Sequence, residues 1–294
     1  MDFKTRMEKR ALEIETYLDT YFKEVESPNK KVVEAMRYSL LAGGKRLRPV
    51  LMIETYEALG GSEDILEMAI ALEMIHTYSL IHDDLPSMDD DDYRRGKLTN
   101  HKVYGEAMAL LAGDGLLNLA YETMINWASK QSNTKNSLKA MNYISKAAGY
   151  NGMIGGQVVD VISENKKIDF ETLEYIQLKK TAALIKSAMM VPAYALGVDD
   201  NILKNIELYA ESIGVAFQIR DDLLDEISTF EKLGKDIGSD AKQHKNTYLS
   251  FYSKEDTKDA LAKFTSDAIE YIESAFENSE FFVQMAKYLE IRDC

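Results

Sequence analysis

An all-α fold is what this sequence predicts, on three observations. Only four prolines, Pro28, Pro49, Pro86 and Pro192, interrupt 294 residues. The stretches between them are rich in Ala, Leu, Met, Glu and Lys, residues that favour helix. Strand-like alternation between turn signals is scarce. Hydrophobic residues make up 46% and charged residues 29%, the balance of a globular chain rather than a disordered one.

The elements follow in order. An amphipathic helix is expected over residues 2–24, broken at Ser27-Pro28-Asn29, with a second helix running to about Ala42 and ended by Gly43-Gly44. An apolar segment starts near Leu47 and stops at Gly60-Gly61. Ser62 reads as the N-cap of a helix from Glu63 to Asp84, about six turns long. Pro86 disfavours helix at Leu85, so the chain should bulge there and bring Asp89 back towards Asp83. Residues 102–130 read as one or two tightly packed helices, and the polar stretch Gln131 to Ser137 as a surface loop. Helices follow at about 138–163, 170–197 and 201–228. Residues 229–247 read as irregular, and two more helices complete the chain. No linker rich in Pro, Gly or Ser interrupts it, which favours one domain over residues 1–294.

Several classes of function are disfavoured. The net charge of −14 argues against nucleic acid as a general partner. No uncharged apolar run reaches the roughly 18 residues that span a bilayer, and Met1-Asp2-Phe3-Lys4 does not read as a signal peptide. Cys294 is the sole cysteine, so no intrachain disulfide can form and a reducing cytoplasm fits.

Two aspartate clusters carry the chemistry: Asp83-Asp84-Leu85-Pro86-Ser87-Met88-Asp89 and Asp221-Asp222-Leu223-Leu224-Asp225. Each follows directly on apolar helix, Leu80 and Ile81 in one case, Phe217 and Ile219 in the other, so neither reads as a solvated acidic tail. Asp221 and Asp225 are four apart and share a helix face. Facing carboxylates repel unless a cation lies between them. Hard oxygen donors without a Cys or His cluster point to Mg2+, which usually arrives with substrate phosphates. Cations suited to a diphosphate recur along the chain, in Gly43-Gly44-Lys45-Arg46-Leu47-Arg48-Pro49, Arg94-Arg95-Gly96, Lys179-Lys180-Thr181, and around a Gly/Asp loop at Lys235 and Lys245.

The order GGKRLRP, HTYSLIHDDLPSMDDDDYRRG, GGQVVD, KKTAALI, FQIRDDLLD, GKD and KNTY resembles the bacterial trans-isoprenyl diphosphate synthases over roughly residues 35–250. Within that family the likeness is to the short-chain branch that makes farnesyl diphosphate. The resemblance implies an isoprenoid synthase-type helical bundle around a central cavity, usually a homodimer. It implies condensation of isopentenyl diphosphate with dimethylallyl diphosphate and then geranyl diphosphate, assisted by three Mg2+ ions. By the same resemblance, Asp83, Asp89 and Asp221 would contact metal directly. Asp84, Asp222 and Asp225 would hold ligands or metal-bound water, with Asp84 and Asp225 counted in the metal site. Arg94, Lys180 and Lys235, with Lys245 a further candidate, match residues that bind the allylic diphosphate. Gly44, Lys45, Arg48, His76 and Arg95 match those that bind isopentenyl diphosphate. Thr181 and Gln218 would shield the allylic cation, and Gln157 and Asp160 would line the cavity without an assigned step.

Product length is expected to depend on Tyr78, five residues and about 7.5 Å along the helix before Asp83. In the family, an aromatic here with the longer DDLPSMD motif goes with a C15 product, and the small Ser79 leaves the floor to Tyr78. Geranylgeranyl diphosphate synthase, with a deeper floor, is the alternative enzyme. A non-catalytic partner subunit would be expected to lack one aspartate motif, and a terpene cyclase to lack GGKRLRP. Relatives often end in a basic tail that helps close the site; here Arg292 alone could take that part.

Overall fold

The computed structural model of the protein describes residues 1–22, 28–227 and 246–292. The expected irregular stretch, with Lys235 and Lys245, lies almost wholly outside the described residues, as does Cys294. The chain forms two compact units, one from Met1–Ile53 with Glu63–Thr134, the other from Glu54–Ser62 with Lys135–Cys294.

In the first unit, α1 (Phe3–Tyr21) starts where the Asp2 carboxylate accepts from Thr5 N at 3.0 Å, the arrangement of an N-cap. Helix α2 (Lys30–Leu40) ends before Gly43 and Gly44, whose φ of 91° and 124° only glycine adopts without strain. Helix α3 (Leu47–Ala58) begins in this unit and ends in the other. Helix α4 (Leu66–Asp83) is buried on every face from Met68 to Ile75, as befits a helix with no polar stripe. It starts later than Ser62 predicts: the N-cap is Ile65, and the Asp64 carboxylate accepts from Leu66 N at 2.7 Å. The short α5 (Asn100–Tyr104) is tied to α2 through Asn100 Nδ2, which donates to Ala35 O at 2.8 Å and Ser39 Oγ at 2.7 Å. Helix α6 (Glu106–Lys130) packs along α4 with small residues, among them Ala109, Ala112 and Gly113, that let the backbones approach.

In the second unit, α7 (Thr134–Ala148) takes in most of the expected surface loop. Ser137 is buried in register with Ala140, Ile144 and Ala148, so a serine serves here as a small core residue. The expected helix over 138–163 is interrupted, because Gly149 to Gly152 turn the chain before α8 (Met153–Ser163). Between α9 (Phe170–Ile176) and α10 (Ala183–Leu196) lies a π-helical turn, Gln177–Ala182. Helix α11 (Asp200–Ile227) packs lengthwise on α12 (Lys254–Ala275), and α13 (Glu280–Ile291) completes the unit. Tyr209, fully buried, fixes α13 by donating to Phe282 O at 2.8 Å.

One buried ion pair organises the first unit. Arg46, read in the sequence as one of three cations at a helix boundary, turns inward instead. Its guanidinium donates to Glu73 Oε1 and to Leu40 O, both at 2.8 Å, with Glu15 at 3.4 Å. Removing one partner strands a buried charge, so Glu73→Ala should cost about 3 kcal/mol, read as a lower urea midpoint. Replacing both by apolar residues of similar volume, Arg46→Met with Glu73→Leu, should cost much less.

Candidate active site

The first aspartate motif is built by a helix end. Helix α4 stops at Asp83, and the chain folds back through Leu85 and Pro86 until Asp89 N donates to Asp83 O at 2.9 Å. Asp83 and Asp89 are thereby neighbours and stay partly accessible, while Asp84 between them is only 3% exposed. A hairpin of two short strands, β1 (Tyr93–Arg94) and β2 (Lys97–Leu98), delivers the partner of Asp84. Its two-residue loop is Arg95-Gly96, with φ of 53° and 73°, the positive pair a type I′ hairpin turn requires. Arg94 Nε donates to both Asp84 oxygens at 2.7 and 2.9 Å, with Arg94 Nη2 2.5 Å from Oδ1 and 3.6 Å from Asp91. Burial pushes the Asp84 carboxyl up to about 6, and the Arg94 charge opposes that rise.

The residue after Arg94 points elsewhere. Arg95 Nη1 donates to Gly43 O, and its guanidinium lies against Gly44, where a Cβ would come within 2.7 Å of Arg95 Cζ. Gly44 is thus required twice over, by its φ and by this close approach. Arg48 Nη1 lies 3.3 Å from His76 Nε2 on α4. Burial, then Arg48, Arg95, Arg94 and Arg46, hold the His76 imidazole well below its ordinary value, so it is neutral. Lys45 is exposed. Gly44, Lys45, Arg48, His76 and Arg95 therefore all belong to the first unit, with Arg48 and Arg95 the cations of the five that act on the neutral imidazole.

The second motif lies on α11. Asp222 is 4% exposed; its Oδ1 accepts from Gln218 Nε2 at 3.0 Å and its Oδ2 from the Tyr248 backbone N at 2.9 Å. Gln218 Oε1 accepts in turn from Thr181 Oγ1 at 3.0 Å, so the two residues expected to shield a cation are bonded to each other. Asp221 and Asp225, on the shared face, are partly accessible. Lys180 Nζ pairs with Asp160 Oδ2 at 2.6 Å, which gives Asp160 the contact its sequence position could not reveal. Gly156 makes room for this turn, since a Cβ there would lie 2.3 Å from Lys180 N. Gln157, half-buried on α8, is one residue further along. Arg292 is 7% exposed, pairs with Asp221, donates to Phe217 O at 3.1 Å and stacks 4.0 Å from the Phe217 ring.

Tyr78 is 5% exposed on α4, and Ser79 Oγ donates back to His76 O at 2.8 Å. Among the described residues, no three acidic or imidazole side chains converge into a complete metal cage. The carboxylates at Asp83, Asp89, Asp221 and Asp225 are nonetheless the hard, partly accessible donors that suit Mg2+, which takes one or two carboxylates and completes its shell with water and phosphate.

A profile of the Polyprenyl synthetase family matches residues 29–285, and the chain belongs to that family. It is 42% identical over 281 residues to the farnesyl diphosphate synthase of Geobacillus stearothermophilus, covering 95% of this chain and 94% of that protein. It is 46% identical over 244 residues to the geranylgeranyl diphosphate synthase of Cyanophora paradoxa, covering 81% of this chain and 80% of that one. Its fold is similar to that of a Helicobacter pylori geranyltransferase solved with magnesium and isoprenyl diphosphate, with a TM-score of 0.85 and 26% identity over 98% of this chain and 96% of the other.

The neutral state of His76 has a consequence for pH. Its folded-state value lies well below the 6.5 of an unfolded imidazole, so below about pH 6.5 the unfolded chain takes up a proton that the folded one refuses. That contribution to stability is present above 6.5 and is lost as pH falls. His76→Gln should therefore flatten the decline of the urea midpoint between pH 7 and pH 5; an unchanged slope would contradict the neutral imidazole.

Proposed function

We propose that this chain is a Mg2+-dependent prenyltransferase that condenses isopentenyl diphosphate with dimethylallyl diphosphate, then with geranyl diphosphate, and stops at farnesyl diphosphate. The observation that carries the reading is the ordered first motif: two partly accessible aspartates flanking buried Asp84, which Arg94 grips, together with the Arg48–His76 contact. Membership of the polyprenyl synthetase family supports it, as does the likeness to a farnesyl diphosphate synthase over nearly the whole chain. The family match from residue 29 to 285 also supports treating the chain as one functional domain.

The reaction begins when the allylic C–O bond breaks and its electron pair leaves with the diphosphate. Bound Mg2+ supplies the charge neutralisation that makes diphosphate a competent leaving group. Asp83, Asp89, Asp221 and Asp225 would hold it, three ions being the family's number. Asp84, expected in the metal site, is buried and engaged through both oxygens by Arg94, and with Asp222 would act on ligands or metal-bound water instead. Arg94 and Lys180 supply guanidinium and ammonium to the allylic diphosphate, with Lys235 and Lys245 assigned by resemblance alone. Lys45, Arg48, His76 and Arg95 hold isopentenyl diphosphate; a neutral His76 can donate one hydrogen bond without adding charge. Thr181 and Gln218 present fixed dipoles to the allylic cation, and dipoles fixed in advance need no reorganisation as charge develops. The double bond of isopentenyl diphosphate then attacks the cationic carbon, and the proton lost from the adjacent carbon passes to the released diphosphate.

Tyr78 is the proposed floor of the elongation cavity. A geranylgeranyl product is the second reading, favoured by the 46% identity to a C20 synthase. A homodimer is supported by Leu110, Leu111 and Ile125, large apolar side chains left exposed on α6. No helix among the described residues is long and apolar enough to cross a membrane, and a cytoplasmic location fits the single cysteine.

The test is product analysis after incubating pure protein with Mg2+, isopentenyl diphosphate and dimethylallyl diphosphate, with an EDTA control. A C15 diphosphate that disappears with EDTA is expected. A C20 product keeps the mechanism and removes Tyr78 as floor; folded protein with no elongation favours a partner subunit instead. Tyr78→Ala should shift the products to C20 or longer, and unchanged C15 output from that variant would sink the floor assignment.

A further inference from the structure

We infer that His82 is a positioning residue that holds the Tyr78 ring in place, and that Gly113 on α6 is the seat that lets it do so. The inference rests on the reading of Tyr78 as the floor of the elongation cavity and names what fixes that floor.

Tyr78 and His82 are four residues apart on α4 and share a face. Their rings meet edge to face, centroids 5.7 Å apart at 78°. The Tyr78 hydroxyl is buried and has no hydrogen-bond partner among the described residues. A buried tyrosine is usually anchored through its oxygen; here packing alone sets where the ring lies. Its neighbour His82 is itself tied down. His82 Nε2 lies 3.1 Å from Leu110 O, an acceptor, so this nitrogen carries the proton and donates. The imidazole rests on the α6 backbone at Gly113, where a Cβ would fall 2.1 Å from His82 Nε2 and 2.4 Å from Cδ2. Glycine is unfavourable inside a helix relative to alanine, and contact with His82 accounts for its presence in the middle of α6. The chain of contact is α6 backbone, His82, Tyr78, all within the first unit.

Two variants separate positioning from general damage. His82→Ala removes the edge contact; Gly113→Ala keeps the imidazole and displaces it. Both should raise the ratio of C20 to C15 product at least ~5-fold, with Gly113→Ala the milder. His82→Phe, which keeps a ring, should stay near the parent ratio. Tyr78→Ala with His82→Ala should go no further than Tyr78→Ala alone, because two residues acting through one contact are not additive.

The second readout needs no catalysis. In protein labelled with 13C-tyrosine, the Tyr78 ring signal, identified by its loss in Tyr78→Phe, should move in Gly113→Ala. A Tyr78 signal that stays put in Gly113→Ala overturns the inference whatever the products are. An unchanged product ratio in His82→Ala, with or without loss of turnover or thermal stability, overturns it too when Tyr78→Ala does shift the products. A shifted signal with C15 retained in every variant, Tyr78→Ala included, removes the floor reading and leaves His82 as the support of the ring.

Discussion

Asp84 is a carboxylate withdrawn from water at the end of an apolar helix, and the Arg94 guanidinium makes that position tenable. Burial alone would favour the neutral acid, and the carboxyl is still raised to about 6 with the arginine beside it. The pair has geometric consequences on both sides. It clamps the β1–β2 hairpin to the end of α4, and the hairpin's I′ turn then sends Arg95 the other way, onto Gly43 and Gly44. Asp83 and Asp89 inherit their places from the same clamp, since the turn that joins them closes around Asp84. An ion pair with one buried partner is weak evidence for stability; its value here is that one contact orients two cations and two carboxylates.

The second unit reaches a similar arrangement by other means. Asp222 is buried as deeply as Asp84, yet it is satisfied by the Gln218 amide and the Tyr248 backbone N–H rather than by a charge. The charges lie one step outwards, where Lys180 rests on Asp160 and Arg292 on Asp221. Lys180 is thus held against an internal carboxylate, and under the proposed function a diphosphate bound there must offer more than Asp160 does. A net charge of −14 is no obstacle to the proposed phosphate chemistry. Bulk charge says little about a site whose electrostatics are settled over 2.5–3.3 Å.

Much of this was legible in the sequence where a local rule governs. Proline at 86 disfavours helix at Leu85, so the break that lets Asp89 return to Asp83 was readable, while the Arg94 clamp that holds it was not. The long run of helix-favouring apolar residues placed α4 and the helical stretch ahead of Asp221 placed α11, and the i, i+4 spacing placed Asp221 with Asp225. The failures have physical reasons as well. Ser62 has the right chemistry for an N-cap, but the Asp64 carboxylate takes the role nearer the helix. Ser137 reads as loop because serine is polar, while the period it shares with Ala140 and Ile144 places it inside. Arg46 and Arg48 are indistinguishable as letters; what separates them is Glu73, 27 residues away and visible only in the fold. The hairpin at Tyr93–Leu98 escaped because two-residue strands carry no alternation to read, though Arg95-Gly96 does carry turn chemistry.

The π turn from Gln177 to Ala182 bears on how this helix can vary. A π turn is a regular helix with one residue too many, so side chains on either side of it are out of phase by about 100°, one residue's share of a turn. No single helical wheel describes residues 170 to 196. The surplus residue falls where Lys180 reaches Asp160 and where Gly156 admits its backbone. Excising one residue here would restore an unbroken ladder of hydrogen bonds and a sturdier helix, and would rotate Lys180 out of the position it holds. Helix regularity and lysine placement oppose each other at this point, and the protein has kept the irregularity.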